Sequence, residues 1–206
     1  MKYAVIAAVA GAALATAANA NLFVNAGFED PITADGPPFV GSWEAFSGGG
    51  SAAAFNGTAS PLSGAQHAEI QILGDDNNFA GMFQDVVVTA GTEYTFSGFH
   101  ATPSNPFDVG VEYRIEWRDS VNDVEVGRTA NTTIAPSGST YEMFSASGIA
   151  PAGADLARVV YAIQTFGGDG PSNSGVIYLD DVSFIPAPGS LAILAGAGLG
   201  LTRRRR

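Results

Sequence analysis

VGVEYRIEWRD, the stretch from Val109 to Asp119, alternates without a break. Val109, Val111, Tyr113, Ile115 and Trp117 fall on one side, and Glu112, Arg114 and Glu116 on the other. Side chains of an extended chain point alternately to its two faces, so a period of two makes a β-strand with one buried and one solvated face. SVN then leads into DVEVG, which reads as the hairpin partner over Val124–Arg128.

The same grammar runs outward from this strand in both directions. Helical periodicity is nearly absent from the middle of the chain, and short apolar runs alternate with Gly, Pro, Asn and Asp. Strands are expected near Leu22–Val24, Ala68–Leu73, Met82–Val88, Glu93–His100, Val109–Arg118, Val124–Arg128, Tyr141–Ile149, Ala157–Thr165 and Gly175–Ile185. PITADGPPFVGS and SGGGSAAAFNGTASPLSGAQ read as loops, the second unusually long. Many short strands with turn signals between them predict an all-β sandwich.

The two ends follow different rules. Met1-Lys2-Tyr3, the apolar run Ala4–Ala17 and the small-residue site Ala18-Asn19-Ala20 have the order of a secretory signal peptide, residues 1–20. The folded domain is expected over residues 21–185. Pro186, which cannot extend a strand ladder, then opens a tail over 186–206. Pro188, a short apolar segment and Arg203, Arg204, Arg205 and Arg206 complete it. The arginines would stay on the cytoplasmic side of a membrane. The first end implies a signal helix; the tail's apolar segment is short for a full span, and a permanent anchor is one reading of it.

Removing both ends sharpens the charge. Between them stand four arginines and all 20 carboxylates, a formal balance of −16. Such a surface repels nucleic acid and anionic lipid and suits divalent cations or neutral polymers. There is no cysteine, so an exported domain must be held by packing or by metal.

Three motifs carry a resemblance. NLFVNAGFED near the start, GMFQDVVVTAGTEYTFSGFHA in the middle and GVIYLDDVSFIP near the end are similar to the cellulose-binding CenC type of carbohydrate-binding module, a galactose-binding-like β-jelly roll. The resemblance spans Leu22–Phe184 and implies a jelly-roll sandwich. It also implies a structural calcium bound by the Gly27 carbonyl with the Glu29 and Asp180 carboxylates. Alternation with Val182 and Phe184 is expected to point Asp180 inward, where a buried carboxylate needs a partner. The alternative is that Asp180 caps a backbone amide and Glu29 is solvated.

Sugar recognition needs aromatic faces to stack on pyranose rings and planar polar groups for the hydroxyls. The candidates are Trp43 and the ladder Glu112, Arg114 and Glu116, with Trp117 assigned to the core beside Tyr113. Catalytic chemistry finds little support. The two histidines, His67 and His100, stand in strand contexts, and no G-x-S-x-G elbow is present. Chance carboxylate pairs such as Glu112 and Glu116 sit in no recognisable motif.

The tail adds a second resemblance. A proline motif, a short apolar segment and a terminal arginine cluster resemble the PEP-CTERM sorting signal, with Ala187 where that family carries Glu. This implies a hydrophobic sorting helix with transient membrane contact through the tail, processing by an exosortase-type membrane protease and delivery to the cell surface or extracellular matrix. The expectation is therefore an exported, non-catalytic protein that binds extracellular polysaccharide. The alternatives are a structural or adhesive surface protein and a glycan-acting hydrolase.

Overall fold

The computed structural model describes residues 20–104, 106–166 and 172–187. Met1–Asn19 and, in the tail, Pro188 and Arg203 to Arg206 lie outside the described residues. Ten strands make up the secondary structure of the described part: β1 Glu44–Ser47, β2 Ala52–Gly57, β3 His67–Leu73, β4 Phe79–Val87 and β5 Glu93–Ala101, followed by β6 Gly110–Asp119, β7 Val124–Arg128, β8 Glu142–Ile149, β9 Leu156–Gln164 and β10 Ser174–Pro186. No helix among the described residues is long and apolar enough to cross a membrane.

The strands form two five-stranded sheets in the orders β1-β4-β9-β6-β7 and β2-β3-β10-β5-β8, with antiparallel pairing throughout. The chain crosses between the sheets at most connections, as in a jelly-roll sandwich. The two inner faces supply the core. Val111, Tyr113, Ile115 and Trp117 of β6 meet Val159, Tyr161 and Ile163 of β9 on one side, and face Ile70, Phe96, Ile177, Leu179 and Phe184 from the other sheet. Tyr113 and Tyr161 stack with centroids 5.6 Å apart and Tyr94 stacks on Phe184 at 5.2 Å, a geometry that adds to simple area burial.

Two expectations need correcting. Leu22–Val24 is not a strand. Its backbone is held by one bond from Leu22 N–H to the Phe184 carbonyl and by the buried Gln84 side chain, which bonds Val24 N–H and C=O at 2.9 and 3.0 Å. A side-chain amide thus does the work of a neighbouring strand. The stretch SGGGSAAAFNGTASPLSGAQ, expected as loop, contains β2, and β1 ends on its first residue, Ser47. Alanine and glycine carry little strand preference, so pairing with β3 rather than local propensity makes this strand. The β6–β7 hairpin forms as expected, with a register shift between Trp117 and Arg118.

His100 is one of the polar residues buried in the core. Its Nδ1 lies 2.7 Å from the Tyr161 hydroxyl, and its ring is 1% exposed. Burial pulls its pKa down from 6.5 to about 4, against a smaller upward pull from Glu142. Burial lowers His67 in the same direction. A neutral buried histidine leaves the unfolded chain binding more protons at mildly acid pH. Stability is therefore expected to be full above about pH 6.5 and to fall toward about pH 4 by roughly 3 kcal/mol from His100 alone. Melting curves across this range should show the slope flattened in His100→Gln; an unchanged slope would contradict the assignment.

Candidate functional site

Every strand that buries one face offers the other to solvent. On the outer face of the first sheet, β6 presents Glu112, Arg114 and Glu116, as the alternation requires. Arg114 stands between the two carboxylates: Nε donates to Glu116 Oε1 at 2.7 Å, and Nη1 pairs with Glu112. Arg128 pairs with Glu125 and lies 3.8 Å from Glu116. On β9, Arg158 grips Asp85 through two bonds of 2.8 and 2.9 Å. Arg118 pairs with Asp123. All four arginines between the two ends are thus engaged with carboxylates.

Across the same sheet runs a row of phenylalanines. Phe39 and Phe83 lie 5.0 Å apart, Phe83 and Phe46 6.2 Å, Phe46 and Phe79 6.1 Å, and Phe79 and Phe166 6.1 Å. The Arg158 guanidinium sits 4.1 Å above the Phe83 ring and 5.0 Å from Phe39, a cation–π arrangement that fixes the ring plane. Register places Phe46, Gly81, Ala162 and Glu112 in one cross-strand row and Glu44, Phe83, Val160 and Arg114 in the next. The buried Gly81, Ala162 and Val160 therefore form a low floor between an aromatic side and a polar side. Beside Phe46 a hollow of about 190 Å³ opens between Ala34, Ala45, Ser47, Ala53 and Ala54.

The structure brings Glu112, Arg114 and Glu116 together and leaves Trp43 out. Trp43 is 1% exposed, packs 4.8 Å from Phe23 and 5.2 Å from Phe28, and donates its indole N–H to the Asn25 carbonyl at 3.0 Å. It is a core residue, not a ligand platform, because its large apolar body and single donor are both satisfied inside. The aromatic row went unread in the sequence. In FAGMFQDVV both faces of β4 carry apolar residues, so alternation alone does not say that Phe79 and Phe83 face out while Ala80 and Met82 face in.

The expected calcium residues sit at the second sheet. Asp180 is buried but does not point into the core. It pairs with Phe99 on the outer face, and a bulge with Asp181 at φ 46° resets the alternation before Val182. The loop from Leu62 to Gln66 covers it. Asp180 Oδ2 accepts N–H bonds from Leu62 at 2.9 Å and Ser63 at 3.1 Å, and Oδ1 accepts from Asp181 at 2.8 Å. Burial raises its pKa, the amides oppose that shift, and the neighbouring Asp181 adds to it. Glu29 Oε1 accepts from Ala65 and Gln66 at 2.9 and 3.1 Å. A Cβ at Gly27 would lie 3.7 Å from Asp181 Oδ1. Among the described residues no three His, Asp or Glu side chains group to hold a metal ion. Hard oxygen donors are present, but those of Glu29 and Asp180 are turned to amide hydrogens. They suit calcium only in part, since the loop would have to turn carbonyls toward them.

No protein-family model matches this chain, and no curated protein matches it. Its fold is similar to solved structures of low identity. One is the enzymatically active domain of bacteriophage CBA120 tailspike protein 4, with TM-score 0.61 and 15% identity over 81% of this chain and 21% of that one. This chain therefore spans about a fifth of the tailspike chain's length. Another is the CBM22-1 xylan-binding domain from Paenibacillus barcinonensis Xyn10C, with TM-score 0.55 and 13% identity over 84% of this chain and 97% of that one. A third is a putative sugar binding protein from Bacteroides thetaiotaomicron, with TM-score 0.55 and 12% identity over 82% and 100%. At these identities the likeness is one of fold: all share the β-sandwich.

Proposed function

We propose that this chain is an exported, non-catalytic protein that binds an uncharged extracellular polysaccharide on the outer face of its first sheet. The observation that carries this reading is the row of five phenylalanines set opposite the ladder Glu112, Arg114 and Glu116. Apolar faces of pyranose rings stack on aromatic faces, and the fixed carboxylate and guanidinium groups offer acceptors and donors to the hydroxyls. The sugar-binding neighbours, including one that binds xylan, support the same reading. The charge pattern narrows the ligand. Each arginine between the two ends already holds a carboxylate, and the surface around them is strongly acidic. An anionic polymer would meet repulsion without a free cation to receive it. Glu112 and Glu116 share Arg114 rather than facing each other across an open cleft, so the pair serves recognition better than glycosidic chemistry.

The exported protein should be retained on neutral glycans such as xylan or β-glucan in affinity electrophoresis, and not on a polyuronate. Phe79→Ala, on a ring already 37% exposed, should weaken retention severalfold with little change in melting temperature. No retention on any glycan would overturn the reading in favour of a structural or adhesive surface protein.

The ends belong to the same proposal. A signal peptide over residues 1–20 and a tail over 186–206, processed by an exosortase-type protease, would deliver the domain to the surface or matrix. β10 runs through Pro186, which pairs with Tyr94, and the Ala187 N–H bonds the Glu93 carbonyl, so the sheet reaches two residues past the boundary expected at 185. Mass spectrometry of the exported protein should show residues beyond about Pro188 removed; an intact Arg206 would argue for a permanent anchor. Calcium is the remaining part. A cation held by the Gly27 carbonyl with Glu29 and Asp180 would offset the burial that disfavours the charged Asp180 carboxylate. Calorimetry on chelator-treated protein should then show heat on adding calcium and a higher melting temperature. Absence of both would leave the backbone amides of Leu62, Ser63 and Asp181 as the partners of Asp180.

A further inference from the structure

Position 81 is the low point of the aromatic row. Gly81 pairs with Phe46 across β1 and β4. A Cβ at this position would lie 2.6 Å from Phe46 Cζ, 2.6 Å from the Tyr161 carbonyl oxygen and 2.8 Å from Ala162 Cβ. These distances are shorter than real contacts allow, so space rather than an unusual backbone angle requires glycine here. The ring of Phe46 takes up that space. Its tip lies over the Gly81 backbone, between Phe79 and Phe83, whose rings incline to it by 41° and 38°. An aromatic ring that fills the side-chain site of its cross-strand neighbour lies along the sheet instead of standing up from it. A standing ring offers an edge to solvent, whereas a lying ring offers a face.

The geometry points to Gly81 as a positioning residue that lays Phe46 flat, making that ring the central stacking platform for a pyranose unit of the bound glycan. This rests on the polysaccharide reading of the face. Gly81 itself touches no ligand and acts through Phe46. Phe46 is half-buried, with its ring tip against Gly81 and its ring between Phe79 and Phe83. It also borders the hollow between β1 and β2, so a sugar seated on it has room for a substituent directed toward Ala34 and Ala53. Phe79 and Phe83 flank the platform along β4 and guide the chain across it.

Phe46→Trp supplies a reporter, because the native tryptophans Trp43 and Trp117 are buried at 1% and 3% exposure. With soluble xylan and β-glucan as probes, Phe46→Trp should bind at least as tightly as the wild type, and its emission should shift to the blue on binding. Phe46→Leu should lose about tenfold in affinity while its melting temperature holds, which separates stacking from folding. Gly81→Ala placed in the Phe46→Trp background should abolish the emission shift. Should Gly81→Ala fail to fold, the Leu and Trp variants decide the matter. Wild-type affinity in Phe46→Leu would overturn this inference and leave polysaccharide binding standing. A wild-type protein that binds neither probe nor any other neutral glycan would overturn the polysaccharide reading itself, and this inference with it.

Discussion

The pleat of β4, β9 and β6 is the constraint on which the rest depends. A strand that turns Tyr113 and Ile115 into the core must turn Glu112, Arg114 and Glu116 out, one residue apart. The same rule, applied to β9 and β4, sets Arg158, Val160 and Ala162 beside Asp85, Phe83 and Gly81. Core and candidate site are thus two sides of one set of strands. The stacked tyrosines and the buried isoleucines hold those strands rigidly, and a rigid sheet is a good support for a binding surface, since its side chains keep their spacing without further ordering cost.

Small residues shape that surface as much as large ones do. Gly81, Ala162 and Val160 keep the middle of the face low, and the rings and the salt-bridged ladder rise on either side. The arginines are used internally. Arg158 holds Asp85 and lies on two phenylalanine rings, so it fixes ring planes instead of standing free as a charge. Exposed ion pairs add little to stability, but a guanidinium shared between carboxylates and rings fixes geometry.

The second sheet solves a different problem. Its bulge at Asp181 brings Asp180 out of the core side and under the Leu62–Gln66 loop, where amide donors satisfy a carboxylate that water does not reach. A non-glycine residue at positive φ stores strain, and here the return is a loop tied down across the sheet face. The Asn21 side chain secures the start of the folded body nearby, donating to the Val182 carbonyl and accepting from Phe184 N–H, both at 2.9 Å. Both ends of the described domain therefore meet at β10.

Much of the architecture was legible in the chain. Period two in VGVEYRIEWRD sorted the core of β6 from its polar ladder, and similar patterns located eight of the ten strands within a few residues. What resisted reading has physical causes. β2 is mostly alanine, with Asn56 and Gly57 at its end and Phe55 as its one strong strand former, so its neighbour β3 makes it a strand. β4 is apolar on both faces, and nothing local says which phenylalanines face out. Asp180 was expected inward because a bulge, which depends on a single positive φ, leaves no mark in the alternation. The sequence by itself determined the all-β class, the amphipathic strands and the acidic balance, because these follow from side-chain chemistry and a period of two. Tertiary structure alone decided that Trp43 is core, that five phenylalanines share one face, and that Gly81 lays Phe46 down among them. Those outcomes depend on which strands pair and in what register, and pairing is a long-range choice that no local stretch contains.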